Sequence, residues 1–226
     1  MSADDNVDRR AEILDAAVRI VVEKGANALR MADVAEAAGV SLGLIQHYFR
    51  HRDRLLVEAF RYESERIAST WRVVVRSDEP PLERLVEYIW LCTPAGSESA
   101  ATAFPGWGFW MDFWSEARRE PQLRAEVGPV YASFSVPFVT ALADGISTGE
   151  FTIRGQVRDV ADRMIATIDG TALRTLLGEI DEARMLPLLI DGLCAELGLD
   201  QQQSERAHTI ARELSANEPR RALSRV

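Results

Sequence analysis

The sequence predicts an all-α protein, with an N-terminal three-helix helix-turn-helix domain followed by a larger α-helical domain. Three observations predict it. Apolar residues recur at helical spacing along most of the 226 residues, and strand-like alternation is scarce. The stretch from Met31 to Leu56, MADVAEAAGVSLGLIQHYFRHRDRLL, sets two short apolar-periodic segments on either side of Gly39, then a basic cluster. That is the layout of a helix that enters the DNA major groove. Two longer amphipathic segments, 157–178 and 182–198, follow in the second half.

Each element has a local reason. A helix is predicted over 7–24, where Ile13, Ala17, Ile20 and Val21 share one face and Gly25 supplies the stop. A second, 31–38, turns Met31, Val34, Ala35 and Ala38 inward. Gly39 makes the turn, and Ser41 caps a third helix, 41–48, by accepting an orphan backbone N–H. Val40, Ile45 and Phe49 are expected to face the first two helices. A fourth helix, 52–76, is long enough to link two domains. Pro80-Pro81 breaks the chain, a helix follows over 82–93, and the small polar run PAGSESA, 94–100, reads as a loop. Residues 104–114, FPGWGFWMDFW, open a helix that stops before Pro121. The helix expected over 121–148 carries Pro129 and Pro137, which are expected to kink it. TGEFTIRGQ, 148–156, reads as a loop. A last helix is expected over 201–216, and the basic tail 217–226 is expected to be disordered. The expected domains are 7–56 and 57–216.

Composition narrows the function. Hydrophobic residues make up 47% and charged residues 27%, ordinary values for a globular chain with a real core. The net charge is −9, yet residues 7–56 carry eight Lys/Arg against seven Asp/Glu, so the acidity lies elsewhere. DNA affinity depends on local phosphate contacts, so the global sign does not exclude it. The start, MSADDNVDRR, lacks the features of a signal peptide, and no apolar run approaches the ~18 residues of a membrane span. A cytoplasmic location is expected, with no membrane partner and with Cys92 and Cys194 as reduced thiols. No nucleophile elbow, Gly-rich phosphate loop or paired catalytic carboxylates stand out, so an enzyme is not expected. His47 and His51 are four apart, but no nearby Cys or carboxylate completes a set, so neither metal nor cofactor is expected.

With Ile45 and Phe49 buried, Leu42, Gly43, Gln46 and His47 share the opposite face of the third helix. Gln46 can pair with adenine N6 and N7, and a leucine can meet a thymine methyl. His47 and the Tyr48 hydroxyl can reach phosphates or base edges, and Gly43 lets the backbone come close to the groove. Arg50, Arg52 and Arg54 cluster at the start of the fourth helix, where Arg52 is expected to hold a phosphate.

The block resembles the TetR family of bacterial one-component transcriptional regulators. The matching residues are Val34-Ala35, Ala38-Gly39-Val40-Ser41, Gly43, His47-Tyr48-Phe49, Arg52 and Leu55-Leu56, with Ile13-Leu14, Ala16-Ala17 and Gly25 before them. There are departures. Arg30 stands where the family places a Ser or Thr cap, and can supply a phosphate contact instead. Gln46 replaces a common aromatic, His51 a small polar cap, and Arg52 a lysine.

The resemblance implies that the rest of the chain binds a small effector and forms a homodimer on a double-stranded DNA operator. Val160, Met164, Ile168 and Ala172 lie along one stripe, and Leu186, Leu189 and Leu193 along the next, so these are the expected dimer contacts, with an intramolecular core as the alternative. Trp107, Trp110 and Trp114 fall on one helix face with Asp112 beside them. Together with Trp71, Trp90, Phe134 and Phe138 they are candidates either for a core or for an effector pocket, one suited to a cationic or aromatic molecule. The aromatic run and Ile168-Asp169-Gly170 look most like the BetI-like branch of the family, without fixing the effector. The expected function is a repressor released by its effector; a ligand-independent or activating regulator is the alternative.

Overall fold

The computed structural model describes residues 3–74, 78–98 and 106–216. Among them are eleven helices and no strand. They are α1 Ala3–Lys24, α2 Met31–Ala37, α3 Leu42–Phe49, α4 Arg52–Val74, α5 Pro81–Leu91, α6 Pro94–Glu98, α7 Trp107–Ala117, α8 Pro121–Thr148, α9 Val157–Leu176, α10 Glu182–Glu196 and α11 Gln201–Ala216. A 3-10 turn, Ala26–Ala28, joins α1 to α2. The expected tail 217–226 and Phe104 of the aromatic run lie outside the described residues.

Two elements differ from expectation. The 3-10 turn carried no periodic signal, because three residues are too few to show one. The run read as a loop from its Pro, Gly and Ser content instead begins with α6. Thr93 Oγ1 accepts from Gly96 N at 3.3 Å and Pro94 opens the helix, so a cap and a first-turn proline outweigh composition.

The chain divides into two compact units, one formed by Met1–Arg66 and Pro105–Val130, the other by Ile67–Phe104 and Tyr131–Val226. The first unit therefore includes α7, which lies far beyond the boundary expected after residue 56. The reason is aromatic packing. Phe60 of α4 meets Phe109 at 4.6 Å and Phe113 at 5.2 Å between ring centroids, and all three are buried. Ile13, Leu14, Ala17, Val34, Ile45, Phe49 and Leu55 complete that core. Arg61 of α4 and Glu126 of α8 add a two-pronged ion pair beside it.

In the second unit α5 is buried on nearly every side, from Leu82 to Leu91, and α10 and α11 pack against it. This unit corrects the expected dimer contacts. Val160, Met164, Ile168, Ala172, Leu189 and Leu193 are at most 3% exposed within the single chain, and Leu186 is half-buried. The stripes of α9 and α10 face each other and the protomer core. Helical periodicity marks a buried face without saying what covers it.

By length and composition alone α8 is apolar enough to cross a bilayer. Its residues in the second unit argue for a core helix: Phe138, Ala141 and Leu142 are fully buried, and Tyr131 hydrogen-bonds Asp169 of α9.

Candidate functional site

The helix-turn-helix is built by backbone bonds around Gly39. Val40 N donates to Ala35 O at 2.9 Å and Gly39 N to Glu36 O at 3.1 Å, closing α2 with Gly39 at φ 64. Ser41 Oγ then accepts from Leu44 N at 3.2 Å and caps α3. Ile45 and Phe49 are buried against the first unit, while Leu42 is 41% exposed and Gly43, Gln46 and His47 are exposed. Tyr48 is half-buried between the His47 and Phe49 rings, 5.6 and 6.0 Å away. Gly43 has no internal reason to be glycine: a Cβ there would meet only Ser41 Oγ, at an ordinary 3.9 Å.

The α3–α4 turn is tight. His51 N donates to Phe49 O at 2.6 Å across Arg50, whose φ of 61 and ψ of −53 make a strained γ-turn. His51 does cap α4, since its Nδ1 accepts from Arg54 N at 3.3 Å. Arg30 is exposed at the start of α2 and makes no side-chain cap bond.

Arg52 is placed differently from expectation. Its guanidinium donates to Ala26 O at 2.6 Å and Leu29 O at 3.1 Å, and pairs with Asp53 at 2.9 Å. The 3-10 turn offers its carbonyls to α4, and a planar fork spans two of them. The expected phosphate grip is thus occupied by the protein itself. Asp112 is likewise placed in the first unit rather than in the aromatic cluster of the second. Its Oδ2 accepts from Ala26 N at 2.9 Å, in the first unit.

The aromatic patch expected from sequence is divided between the units. Trp107, Trp110 and Trp114 belong with α7, where Trp110 packs edge-on against Phe109 and Phe113, and Trp107 lies 6.3 Å from Trp114. In the second unit Trp71 meets Tyr88 and Phe134, each at 5.3 Å, and Tyr88 meets Phe138 at 5.1 Å. Tyr88 OH donates to Phe134 O at 3.0 Å. Trp90 is buried, and its Nε1 has no hydrogen-bond partner among the described residues.

The acid of this second cluster is Asp169. Its Oδ2 accepts from Tyr131 OH at 2.7 Å. Burial pushes its carboxyl up to about 6, against the opposing pull of the Tyr131 hydrogen bond. Burial also raises the Tyr88 phenol and the Cys92 thiol, and the nearby Asp169 charge adds to both. Tyr88, Tyr131 and Asp169 were not among the candidate residues read from sequence. A signal was present for Asp169: it follows Ile165 by four positions and precedes Ala172 by three, an acid on the edge of an inward stripe.

Comparison with known proteins adds a family. Residues 13–59 match the profile described as bacterial regulatory proteins, tetR family, and residues 81–189 match BetI-type transcriptional repressor, C-terminal. The chain is 30% identical over 192 residues to the HTH-type transcriptional regulator BetI of Burkholderia lata, covering 81% of this chain and 91% of that protein. The Burkholderia thailandensis protein of the same name is 29% identical over 190 residues, with 81% and 90% covered. A TetR-family regulator structure from Rhodococcus superposes with a TM-score of 0.71 at 25% identity, covering 84% of this chain and 99% of that one. A transcriptional regulator from Saccharomonospora viridis, solved in complex with choline, gives a TM-score of 0.69 at 24% identity, with 82% and 95% covered.

Proposed function

The chain belongs to the TetR family of bacterial transcriptional regulators, and on that premise we propose that it is a cytoplasmic repressor that binds a twofold operator as a dimer and leaves it when a small cation binds. It acts by binding rather than by catalysis. The observation that carries this reading is the division of α3: Ile45 and Phe49 are at most 1% exposed, while Leu42, Gly43, Gln46 and His47 stand free on the other side. Gln46 reads base edges, and Arg30 and Arg50 supply cations on either side for phosphates.

The dimer face in this reading is the outer side of α9 and α10. Ala166, Gly170, Leu173 and Leu177 recur at helical spacing on α9 and its cap, and Leu177 is 73% exposed. Leu188, Gly192 and Ala195 form the matching row on α10, with Leu188 38% exposed. Small residues between leucines let two such helix pairs approach closely as a four-helix bundle.

The effector site in this reading is the cluster of Trp71, Tyr88, Phe134 and Phe138 with Asp169. Aromatic faces and one desolvated carboxylate suit a quaternary ammonium through cation–π and charge attraction. α4 passes from the first unit into the second, and it is the element by which an effector would change the spacing of the two reading heads.

Selection from random duplex DNA, followed by footprinting with and without choline, tests the reading. The expected outcome is a twofold site with half-sites about 34–36 Å apart, or a multiple of that, from which choline displaces the protein. Selection that returns no symmetric site would overturn it.

A further inference from the structure

The geometry points to Asp112 as a positioning residue for the reading head, a role that rests on the regulator reading above. Ala26 is held from two sides. Its N–H donates to Asp112 Oδ2 at 2.9 Å, and its carbonyl accepts from Arg52 Nη2 at 2.6 Å. Arg52 Nε reaches on to Leu29 O at 3.1 Å, so one guanidinium spans both ends of the 3-10 turn. Gly25, just before the turn, has a φ of 82, a backbone conformation that favours glycine, and it lies beside the carboxylate.

The topology gives these bonds their effect. The 3-10 turn leads into α2, and Arg52 opens α4 just after α3. Arg52 therefore ties the exit of the helix-turn-helix to its entry, and Asp112 ties that entry to α7. The segment α2–α3 is closed into one body, and α7 sets where the body sits. The anchor lies within the stretch matched by the BetI-type C-terminal profile, so the control region supplies the residue that positions the reader. The bond is not needed to dock α7. Phe109 and Phe113 already pack on Phe60, so Asp112 sets register rather than attachment. Ala26 is 1% exposed, so water does not readily replace a lost carboxylate at its N–H.

Asp112→Leu and Asp112→Asn in the full chain test the role. The asparagine keeps a carbonyl oxygen to accept from Ala26 N–H, and the leucine keeps the size without an acceptor. Two readouts are taken: hydrogen exchange at Ala26–Leu29, and affinity for the selected operator. In Asp112→Leu exchange rises and operator affinity falls more than about threefold, because binding must re-order a turn that has lost a hydrogen bond to a charged acceptor. In Asp112→Asn both stay within about threefold of the parent. Base preference and salt slope stay unchanged in both, because no DNA-facing residue is altered. Asp112→Leu combined with Arg52→Ala weakens binding by less than the product of the single losses, since both act on one turn.

Unchanged exchange in Asp112→Leu overturns the proposal. So does faster exchange with unaltered operator affinity, in a chain whose Gln46→Ala variant shifts base preference. So does an asparagine variant as weak as the leucine. If the parent chain selects no symmetric DNA, the regulator reading is what has failed, and the positioning role falls with it.

Discussion

Tyr131 donates its phenolic proton to Asp169 Oδ2 at 2.7 Å, joining α8 to α9 beside the Trp71–Tyr88–Phe134 rings. Burial nevertheless holds the Asp169 carboxyl up at about 6. An unfolded aspartate loses its proton near pH 4, so between these values the folded chain binds more protons than the unfolded one. The contribution of Asp169 to stability is therefore greatest on the acid side and is lost as the pH rises through about 6. A bound cation reverses the balance by favouring the carboxylate. Choline affinity, measured by titration calorimetry below and above this value, is expected to rise with pH and then level off. Asp169→Asn should weaken binding and remove the pH dependence; a pH dependence that survives the substitution would assign it to another group.

Ser41 separates stability from recognition. Ser41→Ala removes the α3 cap and should cost about 1 kcal/mol in thermal or denaturant unfolding. Ser41→Asp restores an acceptor for Leu44 N but adds a negative charge on the DNA side. Its stability should match the parent while operator binding falls, and equal binding would place Ser41 away from the phosphates.

Arg50 holds a backbone conformation that side chains disfavour, at φ 61. Relief of strain of this kind is of the order of 1–3 kcal/mol, offset by the greater freedom of glycine in the unfolded chain. Arg50→Gly is expected to raise the unfolding midpoint slightly while lowering DNA affinity through the lost cation. Arg50→Val should lower the midpoint.

The two sides of α9 should respond differently. Met164 is 1% exposed within the protomer, and Met164→Ala should destabilise the fold by about 2–5 kcal/mol. Leu173 is 39% exposed on the outer face, and Leu173→Arg should leave the helical circular dichroism intact while light scattering reports a monomer. A Leu173→Arg dimer would move the dimer face off α9.

The helix-turn-helix was legible at the level of single residues because its determinants are local. Gly39 makes the turn, Ser41 caps the next helix, and Ile45 and Phe49 recur at the spacing that buries one face. Helix positions along the rest of the chain were legible for the same reason: a 3.6-residue period needs only its own neighbours to be read. What covers each buried face was not legible. Val160 and Met164 carry the same pattern whether a second protomer or α10 lies against them, and only the packing of the second unit decides for α10. Asp112 and Asp169 make the point for charge. Sequence put the first among tryptophans and gave the second no role. The tertiary structure sends Asp112 to Ala26, 86 residues away, and sets Asp169 opposite Tyr131, 38 residues away. A backbone N–H in a 3-10 turn and a phenol on a distant helix leave no periodic trace at the residue that answers them. Sequence by itself thus determined the elements and which side of α3 is buried. The three-dimensional packing alone decided which acid belongs to which unit, because hydrogen bonds of that range are closed by the fold and not by the chain.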